Sequence, residues 1–136
     1  MMVRDFMSKV VLVAGPDDGA LSTFKLMQDS AVRHLPVVDA AGALQGIVSD
    51  RDLRRPRWID PRDPSAARYL LTDAIQVRDV MSLGLCTVRD DAPLKEAARK
   101  MLEHGYGALP VVDHRFALTG MLSQIDVLRA LIVGAR

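Results

Sequence analysis

Apolar and polar positions along this chain change period several times, and the changes mark the elements. Val10 to Ala14 is a short β-rich apolar run closed by Gly15-Pro16, which predicts a strand and a turn. Ala20, Phe24, Met27 and Ala31 then recur at helical spacing, so a helix of about 12 residues follows. Leu35 to Val38 and Leu44 to Val48 flank the turn "DAAG", Asp39 to Gly42, as the arms of a hairpin. Ser49 opens a short helix that Pro56 ends. The same order then returns. A strand near Cys86 to Val88 precedes a helix with Pro93 as first helical residue and Leu94, Ala98 and Met101 inward. Gly105 ends that helix, a hairpin spans Leu109 to Leu122, and a last helix runs from Ser123 to about Val133. The expected unit is βαββα, present twice, an α+β fold.

The two halves are a duplication with a constant offset of 74. "VRDFMS" at Val3 to Ser8 returns as "VRDVMS" at Val77 to Ser82, and "LPVVD" at Leu35 to Asp39 returns at Leu109 to Asp113. "GIVSDRDL" from Gly46 returns as "GMLSQIDV" from Gly120, and eighteen positions are identical without a gap. Looking for such repeats first protects the fold assignment. The expected division is repeat one over residues 1–56, a linker over 57–76 and repeat two over 77–136. Within Pro56 to Gln76, Asp63-Pro64 resembles an N-cap and first helical residue, which predicts a helix over Ser65 to Asp73. Trp58 and Tyr69 are expected to dock this linker on the core.

Composition narrows the function. The chain is 49% hydrophobic and 26% charged, a globular composition, and 18 Lys plus Arg against 17 Asp plus Glu give no general pull toward nucleic acid or an anionic membrane. No apolar run approaches the roughly 20 residues of a membrane helix. Cys86 is the only cysteine, so no intrachain disulfide forms, and a reducing, cytoplasmic setting is expected. His34, His104 and His114 lack metal-ligand spacing. There is no Ser-His-Asp or Cys-His arrangement and no Gly-rich phosphate loop, so catalysis is not expected.

The repeated stencil Gly, two aliphatics, Ser, two variable residues, Asp has two physical readings. Ser49 with Asp52, and Ser123 with Asp126, have the spacing of a capping box, which explains both residue types without a ligand. Alternatively, a serine hydroxyl at a helix start can donate to phosphate while a first-turn carboxylate accepts from a ribose diol. Gly46 and Gly120 either admit a ligand close to the backbone or ease a bend in a strand.

The repeat resembles the CBS domain, the module first recognised in cystathionine β-synthase, through "VRDFM" and "VRDVM", the doubled "LPVVD", and "GIVSDRDL" and "GMLSQIDVL" in that order. The resemblance spans Val3 to about Val133 and implies two βαββα units packed as an intramolecular pseudo-two-fold pair with two clefts. It implies an adenosine-containing ligand such as AMP, ADP, ATP or S-adenosylmethionine, no required cofactor, and regulation rather than catalysis. Carried over by residue, Asp52 and Asp126 would hold ribose hydroxyls, and Ser49 and Ser123 would approach phosphates. Val10, Val11, Val32 and His34 in repeat one, and Leu85, Cys86, Tyr106 and Ala108 in repeat two, would line the adenine pockets. "SDRDLRR" is also similar to the regulatory insert of inosine monophosphate dehydrogenase, without the catalytic barrel of about 250 residues.

The repeats differ where ligand contacts are expected. Repeat one carries Arg33, His34 and Arg51, a candidate phosphate cluster, and repeat two carries Gly107, Ala108 and Ile125 at the matching places. Arg51 is the most informative, because a guanidinium suits bidentate phosphate binding. The two sites are therefore expected to be unequal. A homodimer acting on a separate, unidentified protein is the leading expectation, and a dimerisation module with degenerate sites is the alternative. Nucleic acid is not an expected partner.

Overall fold

The structure is a computed structural model that describes residues 1–9, 12–56, 58–64, 69–83 and 86–134. The chain divides into two compact units, one of Leu12–Leu85 and one of Met1–Val11 with Cys86–Arg136. The opening motif of each sequence repeat therefore belongs to the unit built on the body of the other repeat.

In the unit of Leu12–Leu85, α1 (Ala20–Ser30) is followed by the hairpin β1 (His34–Val38) and β2 (Leu44–Ser49), then by α2 (Asp50–Arg54) and α3 (Val77–Val80). In the other unit a 3₁₀ turn at Val3–Asp5 precedes β3 (Val88–Arg89), α4 (Leu94–His104), β4 (Ala108–Val112), β5 (Leu118–Ser123) and α5 (Gln124–Gly134). The architecture is mixed α+β. Both hairpins are antiparallel with the same registers, Leu35 opposite Val48 and Leu109 opposite Leu122, and both carry an irregularity before the last valine of the first arm.

The second arm of each hairpin alternates in burial, while the first arm is buried through its centre. Leu35, Val37 and Val48 pack with Met27 of α1, and their counterparts Leu109, Val111 and Leu122 pack with Met101 of α4. The first core is completed by Val77 and the second by Val3, so the opening motifs contribute core side chains across the sequence boundary. The Asp of "LPVVD" is a turn former. Asp39 Oδ1 accepts from the amides of Ala41 and Ala43, and Asp113 Oδ1 accepts from those of Arg115 and Ala117. These amide bonds hold the Asp113 carboxyl below its ordinary value. The hairpin turns need a left-handed residue, supplied by Gly42 in one unit and by Phe116, at φ 65°, in the other.

Several elements differ from expectation. The strand at Val10 to Ala14 is reduced, over its described part, to Ala14 bridging Val37, and Val10 and Val11 lie outside the described residues. Its counterpart pairs over Val88–Arg89 rather than Cys86 to Val88. Pro93 is the N-cap of α4, not its first helical residue, because its φ and ψ of −61° and 140° are extended. Of the helix expected at Ser65 to Asp73, residues 65–68 lie outside the described residues and residues 69–72 make no helical turn. This stretch instead braces its neighbours. Tyr69 Oη donates to the Leu53 carbonyl at the end of α2 at 2.6 Å, with the Trp58 ring edge-on at 5.9 Å. Asp73 accepts from both the amide and the hydroxyl of Ser22, supplying the N-terminus of α1 with a cap that Gly19 cannot provide. Among the described residues, no helix is long and apolar enough to cross a membrane.

Candidate functional site

The stencil lies at a strand-to-helix junction in each unit. In repeat one, β2 ends at Ser49 and α2 begins at Asp50. Ser49 Oγ accepts from the Asp52 amide at 3.0 Å, and Asp52 Oδ2 accepts from the Ser49 amide at 3.0 Å. In repeat two, Ser123 and Asp126 make the same reciprocal bonds at 3.2 and 2.8 Å at the start of α5. The capping-box reading is therefore realised in both repeats. It does not exhaust the groups, since a serine hydroxyl that accepts still has a proton to donate and a carboxylate accepts up to about four hydrogen bonds. Asp126 also faces Arg129 one turn on, at 3.7 Å.

The residue before "LPV" meets this junction from the neighbouring strand. His34 is the register partner of Ser49, and Ala108 is the partner of Ser123. Register partners in an antiparallel pair present their side chains on one face. The Arg33 carbonyl accepts from the Asp50 amide, and the Gly107 carbonyl from the Gln124 amide, both at 3.0 Å. Arg33, His34, Ser49 and Asp52 are thus gathered at one junction, with the Arg51 side chain exposed on α2. Burial pushes the His34 imidazole below its ordinary value; Asp50 and Asp52 draw it back in part, and Arg33 adds to the fall. This setting favours the uncharged form of the imidazole.

The remaining adenine-pocket candidates are placed against the cores. Val32 is half-buried and packs on the core of its unit, and Cys86 and Tyr106 do so in theirs, while Ala108 is buried in β4. The Tyr106 ring stacks on His104 at 5.5 Å, and its carbonyl accepts from Gln124 Nε2. Leu85, like Val10 and Val11, lies outside the described residues. No group of three His, Cys, Asp or Glu side chains among the described residues is arranged to hold a metal ion.

In each unit the stencil glycine meets the opening motif. A Cβ on Gly46 would lie 2.6 Å from the Ser82 carbonyl oxygen, and one on Gly120 would lie 2.6 Å from that of Ser8. Ile47 and Ser82 exchange backbone hydrogen bonds at 3.1 and 2.8 Å, as do Met121 and Ser8 at 3.1 and 2.9 Å. The close approach that these glycines permit is made by the protein's own backbone. Arg78 of the opening motif pairs with Asp17, and Asp5 and Asp79 accept from the Met2 and Gln76 amides at the start of their short helical turns. The joint recurrence of a mid-strand glycine and "MS" at one offset was the available signal for this pairing.

The family model described as the CBS domain matches residues 3–57 and 77–133. A CBS domain-containing protein of Dictyostelium discoideum is 32% identical over 136 residues, covering 97% of this chain and 92% of that protein. The crystal structure of CBSX2 in complex with AMP superposes with a TM-score of 0.81 at 32% identity, covering 99% of this chain and 98% of the other. The CBS domain pair of protein MJ0100, in complex with 5′-methylthioadenosine and S-adenosyl-L-methionine, gives 0.79 at 25% identity over 100% and 98%. Other relatives, named as a sulfurtransferase and as acetyltransferases, are spanned over about a quarter of their length.

Proposed function

The chain belongs to the CBS domain family as a tandem pair, and from that premise we propose that it is a regulatory module that binds an adenosine-containing ligand and has no chemistry of its own. The observation that carries the reading is the duplicated Ser and Asp pair at a strand-to-helix junction, in a chain that matches an AMP-bound CBS pair over almost its whole length. Asp52 and Asp126 accept from the ribose hydroxyls. Ser49, Arg33, Arg51 and His34 serve the phosphate in repeat one, and Ser123 serves it in repeat two. Val32, Cys86, Tyr106 and Ala108 border the adenine. AMP, ADP, ATP and S-adenosylmethionine are the candidate ligands, and the response passes to a separate protein partner.

The module acts as a homodimer. On α5, Ile125, Leu128 and Ile132 are 58%, 58% and 71% exposed and fall at i, i+3 and i+7, an apolar stripe on one helix face. A two-fold related copy presents the same stripe and covers it. The realised capping boxes favour one second reading, a dimerisation module whose stencil residues serve only as caps.

Thermal unfolding separates the two. A nucleotide that binds only the folded state adds about 2.7 kcal/mol at a hundred times its dissociation constant. The test sets the wild type, Asp52→Asn and Asp126→Asn against AMP, ADP, ATP, S-adenosylmethionine, GTP and NAD. A rise in midpoint with an adenosine ligand, abolished by one Asn variant whose unliganded stability holds, supports the sensor. No shift with any ligand, together with lowered unliganded stability of both variants, supports the dimerisation module.

A further inference from the structure

We infer that His34 makes ligand binding in repeat one proton-dependent, the imidazole taking up a proton as a phosphorylated adenosine ligand docks, whereas repeat two carries no titrating side chain at the matching place. This rests on the reading that repeat one binds a nucleotide phosphate beside Ser49.

The placement comes from the sheet. His34 of β1 and Ser49 of β2 are register partners on one face, Ser49 is locked to Asp52 by the reciprocal cap, and Asp50 is tied to the backbone of Arg33. The imidazole thus stands over the junction where ribose and phosphate are assigned. The charges it faces are Asp50 and Asp52 from α2 and Arg33 from the segment entering β1, and β2 contributes the uncharged Ser49. Of these, burial and Arg33 oppose a charge on the ring, and the two carboxylates favour one. In the free protein burial prevails. A phosphate brings a charge of about −1.5 to −2 at pH 7, an additional term for the imidazolium that the free site lacks. By linkage, a ligand that makes a group easier to protonate binds more tightly as pH falls. In repeat two the matching places hold Gly107, Ala108 and Ile125, none of which titrates.

The experiment measures AMP affinity by calorimetry from pH 7.5 to 5.5 for the wild type and His34→Gln, with the His34 ring proton followed by NMR with and without saturating AMP. The phosphate of AMP loses its second charge near pH 6. The readout is therefore the ratio of wild-type to variant affinity at each pH, in which the ligand's own titration cancels. The expected ratio is close to one at pH 7.5 and rises by up to about tenfold toward pH 5.5 for a one-unit displacement of the His34 titration. AMP should displace that titration upward. A flat ratio with an unmoved His34 titration, while AMP still binds, overturns the proton dependence and leaves the nucleotide reading standing. Absence of AMP binding to either protein at every pH overturns both.

Discussion

Gly46→Ala tests whether the stencil glycine serves the protein's backbone or a ligand. The new Cβ would stand 2.6 Å from the Ser82 carbonyl oxygen, an atom that cannot rotate away. The strand and the opening segment must separate, stretching the two hydrogen bonds between Ile47 and Ser82. Two weakened backbone bonds at about 1 kcal/mol each, with overpacking of about 1–3 kcal/mol, are offset by about 0.4–1 kcal/mol from the stiffer unfolded chain. The net loss is about 2–4.5 kcal/mol, or roughly 7–16 °C in melting temperature for a chain of this length. Differential scanning calorimetry without ligand reads it directly. A midpoint within 2 °C of wild type, with ligand-induced stabilisation lost, would refute the reasoning and return the glycine to the ligand site.

Other substitutions probe independent features. Phe116→Gly relieves a left-handed, exposed residue at the place where the other hairpin has Gly42, and should stabilise the protein by about 1 kcal/mol in urea unfolding. Tyr69→Phe removes the bond to the Leu53 carbonyl and should lower stability by about 1 kcal/mol in the same assay. Because the folded-state His34 titration lies below the unfolded value of 6.5, the unfolded chain binds that proton first; stability is full above pH 6.5 and declines as pH falls through the interval below it. His34→Gln should flatten that part of a stability-against-pH curve. Leu128→Glu places a charge in the exposed stripe of α5 and should convert the proposed dimer to monomer in sedimentation equilibrium, with the melting curve of the monomer cooperative.

The hairpins, the main helices and the duplication were legible because they rest on periodicity and on local punctuation. Leu35, Val37 and Val48 alternate, Gly105 stops α4 at φ 70°, and Pro56 follows α2. Over its described part the short strand before α1 was overestimated, since Leu12 and Val13 carry an apolar strand pattern whether or not a neighbour is there to pair with them. The docking of the linker through Tyr69 was expected from its aromatic side chain, whereas the bracing by Asp73 was hidden because nothing local announces a carboxylate that caps a helix about 50 residues earlier in the chain. Of the candidate site, the Ser and Asp geometry could be read from spacing, because a capping box is local. The protonation of His34 could not, since it follows from burial and from carboxylates that only the hairpin register brings alongside.

The crossed membership of the opening motifs separates the unit of duplication from the unit of packing. Cutting the chain in the linker would leave each fragment with one unit's body and the other unit's first turn. Val3 would be parted from the core of Val111 and Leu122, and Val77 from that of Val37 and Val48. Fragments made this way should remain poorly ordered apart and recover their secondary structure when mixed. In the intact protein the covalent link keeps each missing piece at high effective concentration. The linker is thus a tether between interdependent halves, and its deletion or lengthening acts first on folding.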